Sequence, residues 1–228
     1  FSVVKRKLVD SNSPIEDVLA KTVKANKLEL KPSENITNQI DRVLRAPTIA
    51  GQFARDNGLE KLIKEVPDLN TLDQYLIAKQ AKTVAGHGIE TGRDLAKDKT
   101  IIEAFAPVYE PIAQRVTAYS QKLLDYITEG GLISKDLATK LKEAYPDYVP
   151  LNRVFDELEK PAIQYGSRGP ASLSKQSVVQ TLEGSKREIE SPITSLLSKT
   201  NDAFVQAEKN KAAKLLASYE KLPGNPFE

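Results

Sequence analysis

The chain has 228 residues, 40% of them hydrophobic and 28% charged, enough for one large domain or two small ones with a substantial polar surface. Its 33 Lys+Arg and 31 Asp+Glu leave a formal net charge of +2, too balanced to imply nucleic acid or an anionic membrane by itself. With no cysteine, disulfides, thiolate catalysis and cysteine-ligated zinc are excluded.

No apolar run approaches the ~20 residues of a membrane span. The start, Phe1-Ser2-Val3-Val4-Lys5-Arg6-Lys7, lacks the apolar core of a signal peptide. A chain with no methionine that starts at Phe1 and ends in a Pro-Gly-Asn-Pro tail leads us to expect a piece of a longer protein.

Helix punctuation recurs along the chain. Ser13-Pro14-Ile15-Glu16 is a capping box with proline at the first helical position, and predicts a helix to about Lys24. Ser33 is a cap for a helix whose face holds Ile36, Ile40, Val43 and Leu44, with Gly51 and Asp56-Asn57-Gly58 as interruptions. Leu59, Leu62, Ile63 and Val66 form a short face ending at Pro67. Thr71-x-x-Gln74 is a second capping box, opening a helix with Leu72, Tyr75, Leu76 and Lys79 on one side. Gly86-His87-Gly88 ends it.

Thr100-x-x-Glu103 reads as a third capping box. Pro107 and Pro111 then predict a break or kink, because each removes a donor and crowds the preceding turn. Val116, Tyr119, Leu123, Tyr126 and Ile127 mark an amphipathic helix stopped by Gly130-Gly131. Ser134 caps a helix through Leu137, Leu141 and Ala144, closed by Pro146.

Residues 154 to 190 are rich in proline, glycine and serine, the composition of an extended loop or a segment packed on a partner. Ser191-Pro192 opens what reads as the longest helix, with Ile193, Leu196, Leu197, Thr200, Phe204, Ala207, Ala212, Leu215, Leu216 and Tyr219 on its face. Strand propensity is weak throughout, and no repeat of fixed period is present.

Chemistry-bearing patterns are sparse. His87 is the only histidine, so neither a histidine metal cluster nor a triad that needs a second histidine exists. Gly86-His87-Gly88 lacks the Gly-Lys-Ser/Thr of a phosphate loop and follows a helix, which fits a C-cap. Glu157/Glu159 and Glu188/Glu190 show no sign of the separated pKa values that a glycosidase pair needs. Lys5-Arg6-Lys7, Lys186-Arg187 and Lys209/Lys211/Lys214 are short basic clusters with acidic neighbours. No residue is assigned to catalysis, a cofactor or a metal.

The least generic run is Tyr145-Pro146-Asp147-Tyr148-Val149-Pro150-Leu151-Asn152-Arg153, a proline-locked crossing between helical stretches. Tyr145, Tyr148, Val149 and Pro150 are candidates for a helix junction or a contact surface. Arg153 and Arg187 are candidates for bidentate carboxylate pairs that fix the loop.

Four runs in order carry a resemblance. Leu8-Val9-Asp10-Ser11 with Pro14-Ile15 comes first. Tyr75-Leu76-Ile77-Ala78-Lys79-Gln80-Ala81 with Gly88-Ile89-Glu90-Thr91-Gly92 follows. Tyr145 to Arg153 is third. Ser185-Lys186-Arg187-Glu188-Ile189 with Pro192, and then Asn201 to Ala217, closes the series. Together they resemble the large polyvalent protein associated domains of bacteriophages and conjugative elements. The polar Ser11-Asn12-Ser13 and the stretch from Pro161 to Ser177 depart from that pattern.

The resemblance implies an internal module of a very long protein that travels in the virion and reaches the host cytoplasm with the incoming DNA, and it carries over no catalytic residue. The expected fold is all-α: an irregular multi-helix bundle over 1–153, a loop over 154–190, and a helix over 191–222 packing back on the bundle. The expected function is structural and non-enzymatic. Partners would be other domains of the same protein, virion subunits or a second copy. A DNA-contacting module using basic helix faces is the first alternative, and an envelope-acting hydrolase the second.

Overall fold

The computed structural model describes residues 20–25, 27, 31, 34–88, 90–147, 154 and 191–220. These residues are helical with no strand, so the all-α expectation holds. After a helical stretch at 20–25 come α1 (Ile36–Asp56), α2 (Leu59–Glu65), α3 (Leu69–Gly86), α4 (Leu95–Glu129), α5 (Lys135–Ala144) and α6 (Pro192–Glu220).

The helix starts show what the sequence signals meant. Asn35 caps α1, its side chain accepting from the amides of Thr37 at 2.9 Å and Asn38 at 3.3 Å; the expected cap, Ser33, lies outside the described residues. Asp68 caps α3 rather than Thr71, whose amide and hydroxyl both donate to the Asp68 carboxylate. Asp94 caps α4, so Thr100 lies inside the helix and its hydroxyl donates back to the Ala96 carbonyl at 3.1 Å. In the last two cases an aspartate upstream supplied the acceptor, and the Thr-x-x-Gln/Glu spacing was incidental. Ser134 caps α5 as expected.

Of the break or kink expected at Pro107 and Pro111, the break does not occur. Both lie inside one 35-residue helix, as Pro47 does inside α1. All three prolines are exposed, so water can serve the carbonyls that lose a partner. Packing along α4 supplies what the local propensity lacks. Consequently α4, not the 29-residue α6, is the longest described helix. Gly51 also continues α1 without a break, and the Asn57-Gly58 turn ends it, with Gly58 at φ 75°.

The buried stripe of α1 is Ile36, Gln39, Ala46, Ala50 and Ala54. Leu44, expected on that face, is 73% exposed, because 100° of rotation per residue carries it off the stripe. Leu197 and Leu216 of α6 are likewise exposed, whereas Ile193, Leu196, Phe204 and Ala207 are buried.

Helices α1 and α6 run antiparallel: Ile36 clusters with Tyr219, Gln39 bonds Glu208, and Phe53 packs on Phe204. Helices α3 and α4 form a second pair, joined through residues 87–94. The carboxyl-terminal half of α4 lies against both. Phe53, Tyr119, Tyr126 and Phe204 meet there, with Tyr126 stacked on Phe204 at 3.8 Å and Phe53 5.1 Å from Phe204. One apolar cluster draws buried residues from all of α1 to α6, including Ala50, Leu59, Leu72, Val116, Leu137 and Leu196.

Candidate functional site

Two polar clusters lie between the helices. The first centres on Glu208 of α6, whose side chain is 0% exposed. Its carboxylate accepts from Gln39 Nε2 at 2.7 Å, Arg42 Nε at 2.9 Å, Arg42 Nη2 at 3.1 Å and Lys211 Nζ at 2.9 Å. The Tyr126 hydroxyl also donates to it, and the Lys211 ammonium sits 4.7 Å from the Tyr126 ring centre.

Burial alone would push the Glu208 carboxyl up. Donation from Arg42, Tyr126, Lys211 and Gln39 outweighs it and holds the pKa at about 2. Burial and the same carboxylate push the Tyr126 phenol above its ordinary value. Three helices are thereby tied through one ionised group.

The second cluster centres on Lys79 of α3. Its ammonium lies 2.9 Å from both Glu110 oxygens and 3.0 Å from Asp147 Oδ1. Tyr75 donates to Glu110, Thr83 Oγ1 to Asp147 Oδ2 at 2.8 Å, and Thr117 Oγ1 to the Asp147 carbonyl. Burial raises the Glu110 carboxyl, but bonds from Tyr75 and Lys79 bring it below its ordinary value. A general acid needs the opposite shift. A carboxylate pair bridged by a lysine is an ion-pair staple between α3, α4 and the stretch after α5.

This staple joins Lys79, in the run Tyr75–Ala81, to Asp147, in the run Tyr145–Arg153. Of the site residues named from sequence, Tyr145 is buried at 3% and belongs to the main core cluster. Tyr148, Val149, Pro150, Arg153 and Arg187 lie outside the described residues. So do the Glu157/Glu159 and Glu188/Glu190 pairs and the Lys5-Arg6-Lys7 and Lys186-Arg187 clusters. Val154, expected to begin the loop, is helical and fully buried, so the core extends at least that far.

Two lysines of the 209/211/214 cluster have internal bonds: Lys211 holds Glu208, and Lys214 donates to the Gly131 carbonyl at 3.2 Å. His87 is exposed at the C-cap of α3. Among the described residues no group of three or more His, Asp or Glu side chains has the arrangement of a metal site, and no helix is long and apolar enough to cross a membrane.

Sequence reasoning missed Gln39, Arg42 and Glu208. A single polar residue inside an apolar stripe, Gln39 on α1 and Glu208 on α6, was the available signal.

A further tie runs from α3 to the start of α6. Asp73 accepts from the Ile193 amide at 3.1 Å and from the Ser191 hydroxyl, while Ser191 Oγ accepts from the Thr194 amide at 3.2 Å. A side chain of one helix thus completes the N-terminal cap of another.

No protein-family model, curated protein or solved structure matches this chain.

Proposed function

We propose that this chain is a structural, non-enzymatic helical module of a phage or mobile-element polyvalent protein, carried in the particle and delivered with the DNA. The observation that carries the reading is the commitment of Glu208 and Lys79 to cross-helix bonds. Glu208 is ionised and bonded from four side chains, and Lys79 is held between two carboxylates. Such groups fix which helix faces meet, a use of buried charge suited to a module that must keep one shape among many neighbours. The ordered resemblance runs agree, since the Lys79–Asp147 bond gives two of them an architectural role.

Mass spectrometry of nuclease- and protease-treated particles from the element that encodes the chain tests this. Peptides from α4 and α6 should occur in a fixed ratio to a capsid or coupling component. They should also appear in recipient cells whose protein synthesis is blocked. A chain confined to the producing cell would defeat delivery, and turnover of an envelope polymer by the purified chain would defeat the non-enzymatic assignment.

A further inference from the structure

A crevice of about 120 Å³ lies where the α1–α2 turn meets α4, room for several water molecules. Asn57, Gly58, Leu59 and Leu62 line one side; Arg115, Ala118, Tyr119 and Lys122 line the other. Leu59 and Leu62 are buried and form an apolar back wall. Gly58 sits at φ 75°, and a Cβ there would meet nothing within 4 Å, so the turn leaves the crevice unfilled.

Asn57 Nδ2 is committed to the Phe53 carbonyl at 2.9 Å and the Tyr119 hydroxyl to Thr200 at 2.9 Å, but the two cations of the crevice have spare donor capacity. Lys122 Nζ donates to Asn57 Oδ1 at 2.9 Å and has no carboxylate in ion-pair range among the described residues. Arg115 reaches Glu65 through Nη1 alone, at 3.0 Å. Of the other acids, Asp125 holds Lys142 at 2.6 Å and Glu60 holds Arg55 at 3.6 Å, while Glu65 is shared between Arg115 and Lys61, the latter at 3.6 Å. Asp56, exposed beside the turn, is the remaining nearby carboxylate. Positive charge facing a small concavity, with guanidinium donors unused, is the chemistry of oxyanion recognition.

We propose that this crevice binds a phosphate group, with Lys122 as the principal charge and Arg115 as the adjustable second donor. The phosphate is either a free ion or one unit of a nucleic-acid backbone. The site is independent of the structural assignment above, since a module can serve architecture whether or not it holds a phosphate.

The test is a titration of the ¹⁵N-labelled chain with inorganic phosphate at constant ionic strength, followed by amide shifts. Saturable shifts confined to Asn57, Gly58, Leu59 and the turn of α4 around Lys122 are expected. Lys122→Gln should weaken binding by about tenfold or more while leaving the rest of the spectrum unchanged. Glu65→Gln, which releases Arg115, should tighten it by about threefold. A purely structural role for Lys122 would not produce that opposite response.

A parallel titration with a short DNA separates the two sources. Binding tighter than to inorganic phosphate, with a salt slope about one unit smaller in Lys122→Gln, assigns the phosphate to a backbone. DNA binding no tighter assigns it to the free ion. Shifts that never saturate, or affinity unchanged in Lys122→Gln, would overturn the site.

Discussion

Replacing Glu208 with alanine removes the carboxylate on which α1, α4 and α6 converge. Removing one member of a buried ion pair costs about 3–5 kcal/mol, because its partners stay behind unpaired. Arg42 and Lys211 are 48% and 30% exposed and can turn to water, whereas Gln39 at 6% cannot do so freely. The lower end, about 3 kcal/mol, is therefore expected.

The acid side gives the same size. A carboxyl at about 2 in the fold and 4.5 unfolded stabilises by up to about 3 kcal/mol at neutral pH. Its folded pKa is depressed, so this contribution is complete above about 4.5 and disappears as pH falls toward 2. Guanidinium unfolding of wild type and variant at several pH values measures both, with an unchanged m showing that only stability has moved. The gap between them should narrow below pH 4.5. A neutral-pH loss below about 1 kcal/mol, or a gap that does not narrow in acid, would refute the argument.

Three further substitutions probe other contacts. In Gly130→Ala the new Cβ would lie 2.6 Å from the Ala207 Cβ, so despite an ordinary φ of -65° the variant should lose about 1–3 kcal/mol in urea unfolding; a gain would mean the helices do not meet so closely. Asp73→Ala should cost about 0.5–2 kcal/mol and speed hydrogen exchange at the Ile193 amide selectively, and unchanged exchange there would remove the inter-helix cap. Tyr145→Ala, at a core position, should cost about 3 kcal/mol or more by thermal or chemical unfolding, while a near-neutral result would place that side chain outside the core.

Periodicity revealed the apolar faces of α2, α3, α5 and the second half of α4, because Leu, Tyr and Ile there repeat at three and four. On α1 it held only in part: Ile36 is buried as expected, but the rest of the stripe is Gln39 and three alanines, while the bulkier Leu44 faces outward. The prolines do not end α4, because local rules see the missing donor and not the neighbouring helices that hold it together. The upstream aspartates Asp68 and Asp94 cap better than the threonines that matched a box pattern. The full Glu208 cluster was hard to read because Gln39 and Arg42 stand 166 to 169 positions from Glu208 and Tyr126 stands 82 away, and only the packing of α1 and α4 on α6 brings them together.

Helix α3 grips the chain at two places: Lys79 and Thr83 hold Asp147, and Asp73 holds Ser191 and Ile193. At 1.5 Å per residue, Asp73 and Thr83 stand about 15 Å apart on one rigid rod. The exit after α5 and the re-entry before α6 are thus moored to a common berth, whatever runs between them. As a general rule, each doubling of a closed loop's length adds only about 0.6 kcal/mol of closure entropy. Insertions between Val154 and Ser191 would therefore leave both moorings, and the helical frame they hold, in place.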